Sequence, residues 1–162
     1  MESFRKRHYQ NFSMLRNDLK EIGRLRKLSK SNEDKDKIND DFKERLMLAV
    51  TGVNDCRYCS YAHSKAALKS GINEEEVCML LQGEYENCPK DEIPAIFYAQ
   101  HWADNNGNSD DESWQKLVEL YGEKRANTIE MYLRMIRLGN LSGNTFDYVG
   151  YKLSRGRFGL KK

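Results

Sequence analysis

The chain has 162 residues, enough to bury one hydrophobic core and too few to demand a second. About a third of the residues are charged, but the two signs nearly cancel to +2, which leaves no domain-wide basic field of the kind that marks a nucleic-acid binder. The N-terminal MESFRKRHYQ has no apolar stretch behind it, and no apolar run approaches the roughly 18 residues that cross a bilayer, so the expectation is a cytoplasmic protein without a membrane partner.

Apolar residues recur at spacings of three and four nearly throughout, alternating strand patterns are absent, and prolines occur only at Pro89 and Pro94. This predicts an all-α fold. Phe12, Leu15, Leu19, Ile22 and Leu25 form a narrow stripe on a first helix, an arm over residues 1–30 that packs on the body or on a neighbouring subunit. The polar stretch LSKSNEDKDK reads as a linker, and residues 31–162 as a single helical domain. Ile38, Phe42, Leu46, Ala49, Val50 and Val53 give the second helix a broad apolar face, with Gly52, Asn54 and Asp55 marking its end. A third helix runs from about Cys56 to Ser70 and stops at Gly71. Asn73 followed by three glutamates starts a fourth. CPKDEIPAIFYAQHWADNNG suggests a helix entered through proline, SWQKLVELYG a short one, and EKRANTIEMYLRMIRLGN a longer one closed by Gly139. A final short helix around Phe146, Val149 and Leu153 and a frayed basic tail complete the pattern.

The chemistry concentrates in CRYCSYAH, residues 56–63. At about 100° per residue, Cys56, Cys59 and His63 share one helix face within an arc of roughly 60°. Cys56 falls at the helix start, where unpaired N–H groups and the dipole favour a thiolate, while Cys59 sits one turn deeper beside His63, which can take its proton. A carboxylate usually orients such an imidazole. Glu44 is the candidate, brought near His63 if the second and third helices fold back on each other. Residue types alone leave three readings: a redox pair, a zinc site and a helix with incidental thiols. A zinc site would take its remaining ligands from a second knuckle, which this sequence lacks.

Glu44, eleven intervening residues and then C-x-x-C-x-x-x-H, in ERLMLAVTGVNDCRYCSYAH followed by SKAALKSGINEEEV, resembles the core of the alkylhydroperoxidase D-like branch of the carboxymuconolactone decarboxylase family. The resemblance spans roughly residues 38 to 82, and GNLSGNTFD is similar to the ends of uncharacterised members. It implies an all-helical orthogonal bundle assembled as a homo-oligomer, trimeric or hexameric, with no cofactor. It also implies a thiol-dependent peroxidase or disulfide reductase, in which Cys59 reacts with a hydroperoxide, Cys56 resolves it to a disulfide, and Glu44 and His63 relay the proton. A dithiol protein of lipoyl or thioredoxin type would restore the thiols. Tyr58 stands where the best-studied branch has a histidine, and the family's lactone decarboxylases generally lack the cysteine pair. The alternative from another class is a non-enzymatic redox- or zinc-responsive binding module.

Among the remaining candidates, Tyr58 and Tyr61 either line the site entrance or pack as ordinary aromatics. Cys78 reads as a small core residue, Cys88 as a loop thiol, and His101 as a packed, hydrogen-bonded core histidine, while His8 has no assigned role.

Overall fold

A computed structural model describes residues 3–30 and 36–158. Part of the expected linker (31–35) and the end of the basic tail (159–162) lie outside the described residues. Among the described residues the chain is all-α: α1 (Phe12–Leu28), α2 (Asp40–Asn54), α3 (Arg57–Lys69), α4 (Glu74–Gln82), α5 (Ile93–Asp104), α6 (Asp111–Tyr121) and α7 (Glu123–Leu153). Side-chain caps start several of them. Asn11 accepts from Met14 N, Asn73 from Glu76 N and Asp110 from Ser113 N, each satisfying an N–H that the helix itself leaves unpaired.

Helix α2 is the hub, packing against α3, α4, α5 and α7. Its Phe42, Leu46 and Val50 are fully buried with Leu80, Ile96, Trp102 and Leu133. Each such side chain is worth about 1.5–3 kcal/mol relative to an exposed one. Gly52 does not end this helix. It lies inside α2, where a Cβ would come within 2.7 Å of the Leu81 carbonyl oxygen, so glycine there permits the close approach of α4. The stop is Asp55, in the left-handed region at φ 52°.

The expected break at Gly139 does not occur either. Helix α7 runs unbroken for 31 residues through Gly139 and Gly143 to Leu153. A mid-helix glycine costs about 1 kcal/mol relative to alanine, less than the helix gains by burying Leu133, Ile136, Leu141 and Tyr151 on either side.

Helix α1 lies along α7 with Leu15, Ile22 and Leu25 of its apolar stripe half-buried or buried, while Leu19 is exposed. Leu25 is buried, but Phe12 is 74% exposed and the second buried residue is Asp18. Asp18 accepts from Arg137 of α7 and from Tyr9 at 2.7 Å, and it lies 3.9 Å from Arg134. A buried guanidinium without a partner costs several kcal/mol, so the charge pair fixes the orientation of α1 together with the inward part of its apolar stripe. Residues ahead of α1 also bind α7: Tyr9 N donates to Thr145 Oγ1, and Asn144 Nδ2 donates to the Arg7 carbonyl oxygen.

Candidate functional site

The α2–α3 turn carries both thiols of the motif. Asp55 reverses the chain, and Cys56 adopts an extended backbone (φ −92°, ψ 105°) as the N-cap of α3, its Sγ accepting from Cys59 N at 3.4 Å. The two sulfurs are 3.0 Å apart in hydrogen-bond contact, both cysteines being free thiols. Cys56 is completely buried, while Cys59 is half-buried. The hydrogen bond from the Cys59 thiol holds Cys56 down to about 7 against the penalty of its burial, with help from the Cys59 and Tyr58 backbone N–H groups. The same shared proton raises Cys59 above the ordinary thiol range; burial adds to this, and the Asn140 amide works against it. The pair therefore titrates as one unit whose first negative charge settles on Cys56.

Helices α2 and α3 also bring the expected carboxylate and imidazole together. Glu44 Oε2 lies 2.7 Å from His63 Nδ1, with the glutamate side chain 7% and the histidine 24% exposed. Lys43 Nζ approaches the other Glu44 oxygen at 3.8 Å. Among the described residues no hydrogen bond joins His63 to either thiol, but His63 is one turn beyond Cys59 on the same face of α3.

The back of the site is built by α7, which the motif does not contain. A Cβ on Gly143 would lie 2.9 Å from Cys56 Sγ and 3.1 Å from Tyr58 Cδ2, and one on Gly139 would lie 3.7 Å from Cys59 Sγ. Between them Asn140, fully buried, accepts from Asn54 Nδ2 and donates to Thr51 Oγ1, each at 3.1 Å, tying α7 to the end of α2. One turn further, the buried Asp147 accepts from Tyr58 OH at 2.9 Å and from Arg57 Nη2 at 2.7 Å. Tyr58 is thus pinned across the thiol seat, whereas Tyr61 is 73% exposed with Lys65 Nζ 6.0 Å from its ring centroid.

Sequence reasoning missed Asn140 and Asp147. Their signal is the spacing of Asn127, Glu130, Arg137, Asn140, Asn144 and Asp147, a polar file at steps of three, four and seven that the fold buries along α7.

The other sulfur and histidine assignments change. Cys78, expected in the core, is exposed, whereas Cys88 is on a loop as expected and is buried. The short loop before α5 packs Cys88 beside the buried Arg45, Glu76 and Glu92, and burial pushes its thiol up to about 12. His101 is part-exposed, bonded through Nε2 to Asp110 Oδ2 at 2.9 Å at the start of α6. No group of three or more His, Cys, Asp or Glu among the described residues is arranged to hold a metal ion. No helix among them is long and apolar enough to cross a membrane.

Fold and site together define an all-helical protein with two thiols on one helical turn and a carboxylate–imidazole pair on the adjoining helices. The model of the carboxymuconolactone decarboxylase family matches residues 24–99, a segment that includes Glu44, Cys56, Cys59 and His63, and over that segment the chain is similar to the family. The match leaves out α6, α7 and the residues ahead of α1 that bind α7. No curated protein and no solved structure matches the chain.

Proposed function

We propose that the chain is a thiol-dependent antioxidant oxidoreductase, a hydroperoxide or disulfide reductase of alkylhydroperoxidase D-like type. The observation that carries this reading is the pair of sulfurs 3.0 Å apart, with one thiol held down to about 7. In the catalytic cycle Cys59, the more accessible sulfur, passes its proton to the Cys56 thiolate that shares it and attacks the terminal oxygen of a hydroperoxide. The O–O bond breaks, an alcohol leaves, and Cys59 becomes a sulfenic acid. Cys56 then attacks the Cys59 sulfur, forming the disulfide and releasing water. His63, oriented by Glu44, moves the proton between Cys59 and the departing oxygens. A dithiol protein of lipoyl or thioredoxin type takes up the disulfide and returns two electrons and two protons. The protein works in a reducing compartment as a homo-oligomer, and the exposure of Phe12, Phe97, Leu120, Phe146 and Leu153 supports such assembly.

Non-reducing peptide mass spectrometry after treatment with hydroperoxide tests the reading without assuming a physiological substrate. The expected result is a Cys56–Cys59 disulfide that dithiothreitol reverses, and loss of peroxide turnover in Cys59→Ser. Peroxide consumption by Cys59→Ser at the parental rate would sink the proposal. So would stoichiometric zinc in the purified protein with both thiols shielded from alkylation, which would point to the metal-responsive binding module instead.

A further inference from the structure

One acidic side chain that acts on the buried thiol belongs to neither the motif nor the segment that the family model matches. Asp147 sits on the same face of α7 as Gly143, one turn on, and is fully excluded from solvent. Its Oδ1 accepts from Tyr58 OH and Arg57 Nη2, the two residues between the cysteines. Its Oδ2 is buried and has no hydrogen bond; the nearest cation on that side is Lys6 Nζ at 4.0 Å. Lys6 Nζ likewise makes no hydrogen bond and stands 3.7 Å from Asp55, the residue before Cys56. The charged groups linked to this corner of the site among the described residues include Asp147 from α7, Asp55 from the end of α2, Arg57 from α3 and Lys6 from the N-terminal segment.

We infer that Asp147 is a positioning residue that sets the redox balance of the Cys56–Cys59 pair, by anchoring Tyr58 and Arg57 over the thiol seat and by placing a buried negative charge beside Cys56. The inference rests on the reading of these cysteines as a redox pair. The sign follows from charge. In the reduced state Cys56 is a thiolate above pH 7 and is repelled by Asp147. In the disulfide the sulfur is neutral and the repulsion is gone, so the carboxylate favours the oxidised form and the guanidinium of Arg57 opposes it. Because the site is buried, this repulsion is screened less than it would be at the surface.

Equilibration with glutathione measures the balance. The Cys56 thiolate and the Cys59 thiol give two electrons to glutathione disulfide, forming the Cys56–Cys59 bond, and the S–S bond of glutathione breaks. One released glutathione takes the Cys59 proton, and the other leaves as a thiolate that is protonated by water.

Asp147→Asn keeps the acceptor for Tyr58 and Arg57 while removing the charge. It is expected to shift the equilibrium about threefold or more toward the dithiol, with the ultraviolet absorbance of the Cys56 thiolate appearing at lower pH; half a pKa unit corresponds to about threefold. Arg57→Gln should shift both readouts the opposite way, and Glu112→Gln, which removes an exposed carboxylate on α6, should leave them at parental values. The inference is overturned if Asp147→Asn stays within about twofold of the parent in both readouts, or if Asp147→Asn and Arg57→Gln move in the same direction, as a mere loosening of the fold would cause. Should the parent form no disulfide at all, the redox reading fails, while the thiolate titration still decides whether Asp147 acts on Cys56.

Discussion

Gly143 of α7 lies directly behind the thiol of Cys56, and a methyl group in place of its hydrogen would stand 2.9 Å from that sulfur. Gly139, one turn earlier, leaves 3.7 Å to Cys59 Sγ, an ordinary contact. The two glycines share one helix but not one role. Gly143→Ala must displace Cys56 or Tyr58 and is expected to lose about 1–3 kcal/mol of stability, together with slower disulfide formation. Gly139→Ala fits and is expected to gain up to about 1 kcal/mol from helix propensity. Urea unfolding of both variants separates them, and equal behaviour would show that α7 does not seat the thiols this closely.

The Glu44–His63 contact predicts a graded loss of turnover. His63→Gln removes the proton carrier and should lower peroxide turnover by about a hundredfold or more. Glu44→Gln leaves the imidazole in place without its orienting carboxylate, so the loss should be smaller, on the order of tenfold. Steady-state peroxide consumption at neutral pH checks the order; a Glu44→Gln enzyme at full rate would remove Glu44 from the site.

Because the two thiols share a proton, removing either should move the other in opposite directions. In Cys59→Ala, Cys56 loses the hydrogen bond that is the largest cause of its lowered pKa, so its thiolate absorbance should move up from about pH 7. In Cys56→Ala, Cys59 loses the largest cause of its elevation and should fall toward the ordinary thiol value. A titration in which both single variants move the same way would contradict a shared proton.

A second buried charge cluster makes a prediction about stability. Arg45 of α2 donates to Glu76 Oε1 at 2.5 Å and to Glu92 Oε2 at 3.0 Å, and burial raises Glu92 from 4.5 to about 7 in spite of that guanidinium. A carboxyl raised by folding holds its proton more tightly in the folded chain than in the unfolded one. Its contribution is complete below about pH 4.5 and is lost as pH rises to about 7. The parent should therefore lose on the order of 2 kcal/mol across that window relative to Glu92→Gln, which cannot ionise. Thermal unfolding at a series of pH values reads the difference between the two curves. Parallel curves would mean that Glu92 is already ionised at pH 5.

The helices were legible because their apolar spacing and caps are local properties, and the motif was legible because Cys56, Cys59 and His63 fall within two turns of one helix. What was not legible depends on distant partners. Gly139 reads as a helix stop until Cys59 is packed against it, and Asp18 reads as a solvated residue until Arg137 of α7 is found beside it. Cys78 leaves its expected core environment because α4 turns it outward, while the following loop, the place expected for Cys88, folds that thiol in beside Arg45. Neither outcome is carried by the few residues around each cysteine.

Tyr58 and Asp147 are 89 residues apart, and so the thiol site is assembled from the middle of the chain and a helix close to its end. During synthesis the motif leaves the ribosome well before α7 exists, and the cysteines then lack the wall that buries Cys56 and the amides that hold its helix in place. In that interval they are two accessible thiols on an unsupported turn, open to nonspecific oxidation. A polypeptide cut short ahead of α7 should remain in that unguarded condition, with the recognisable motif intact and its controlled chemistry absent.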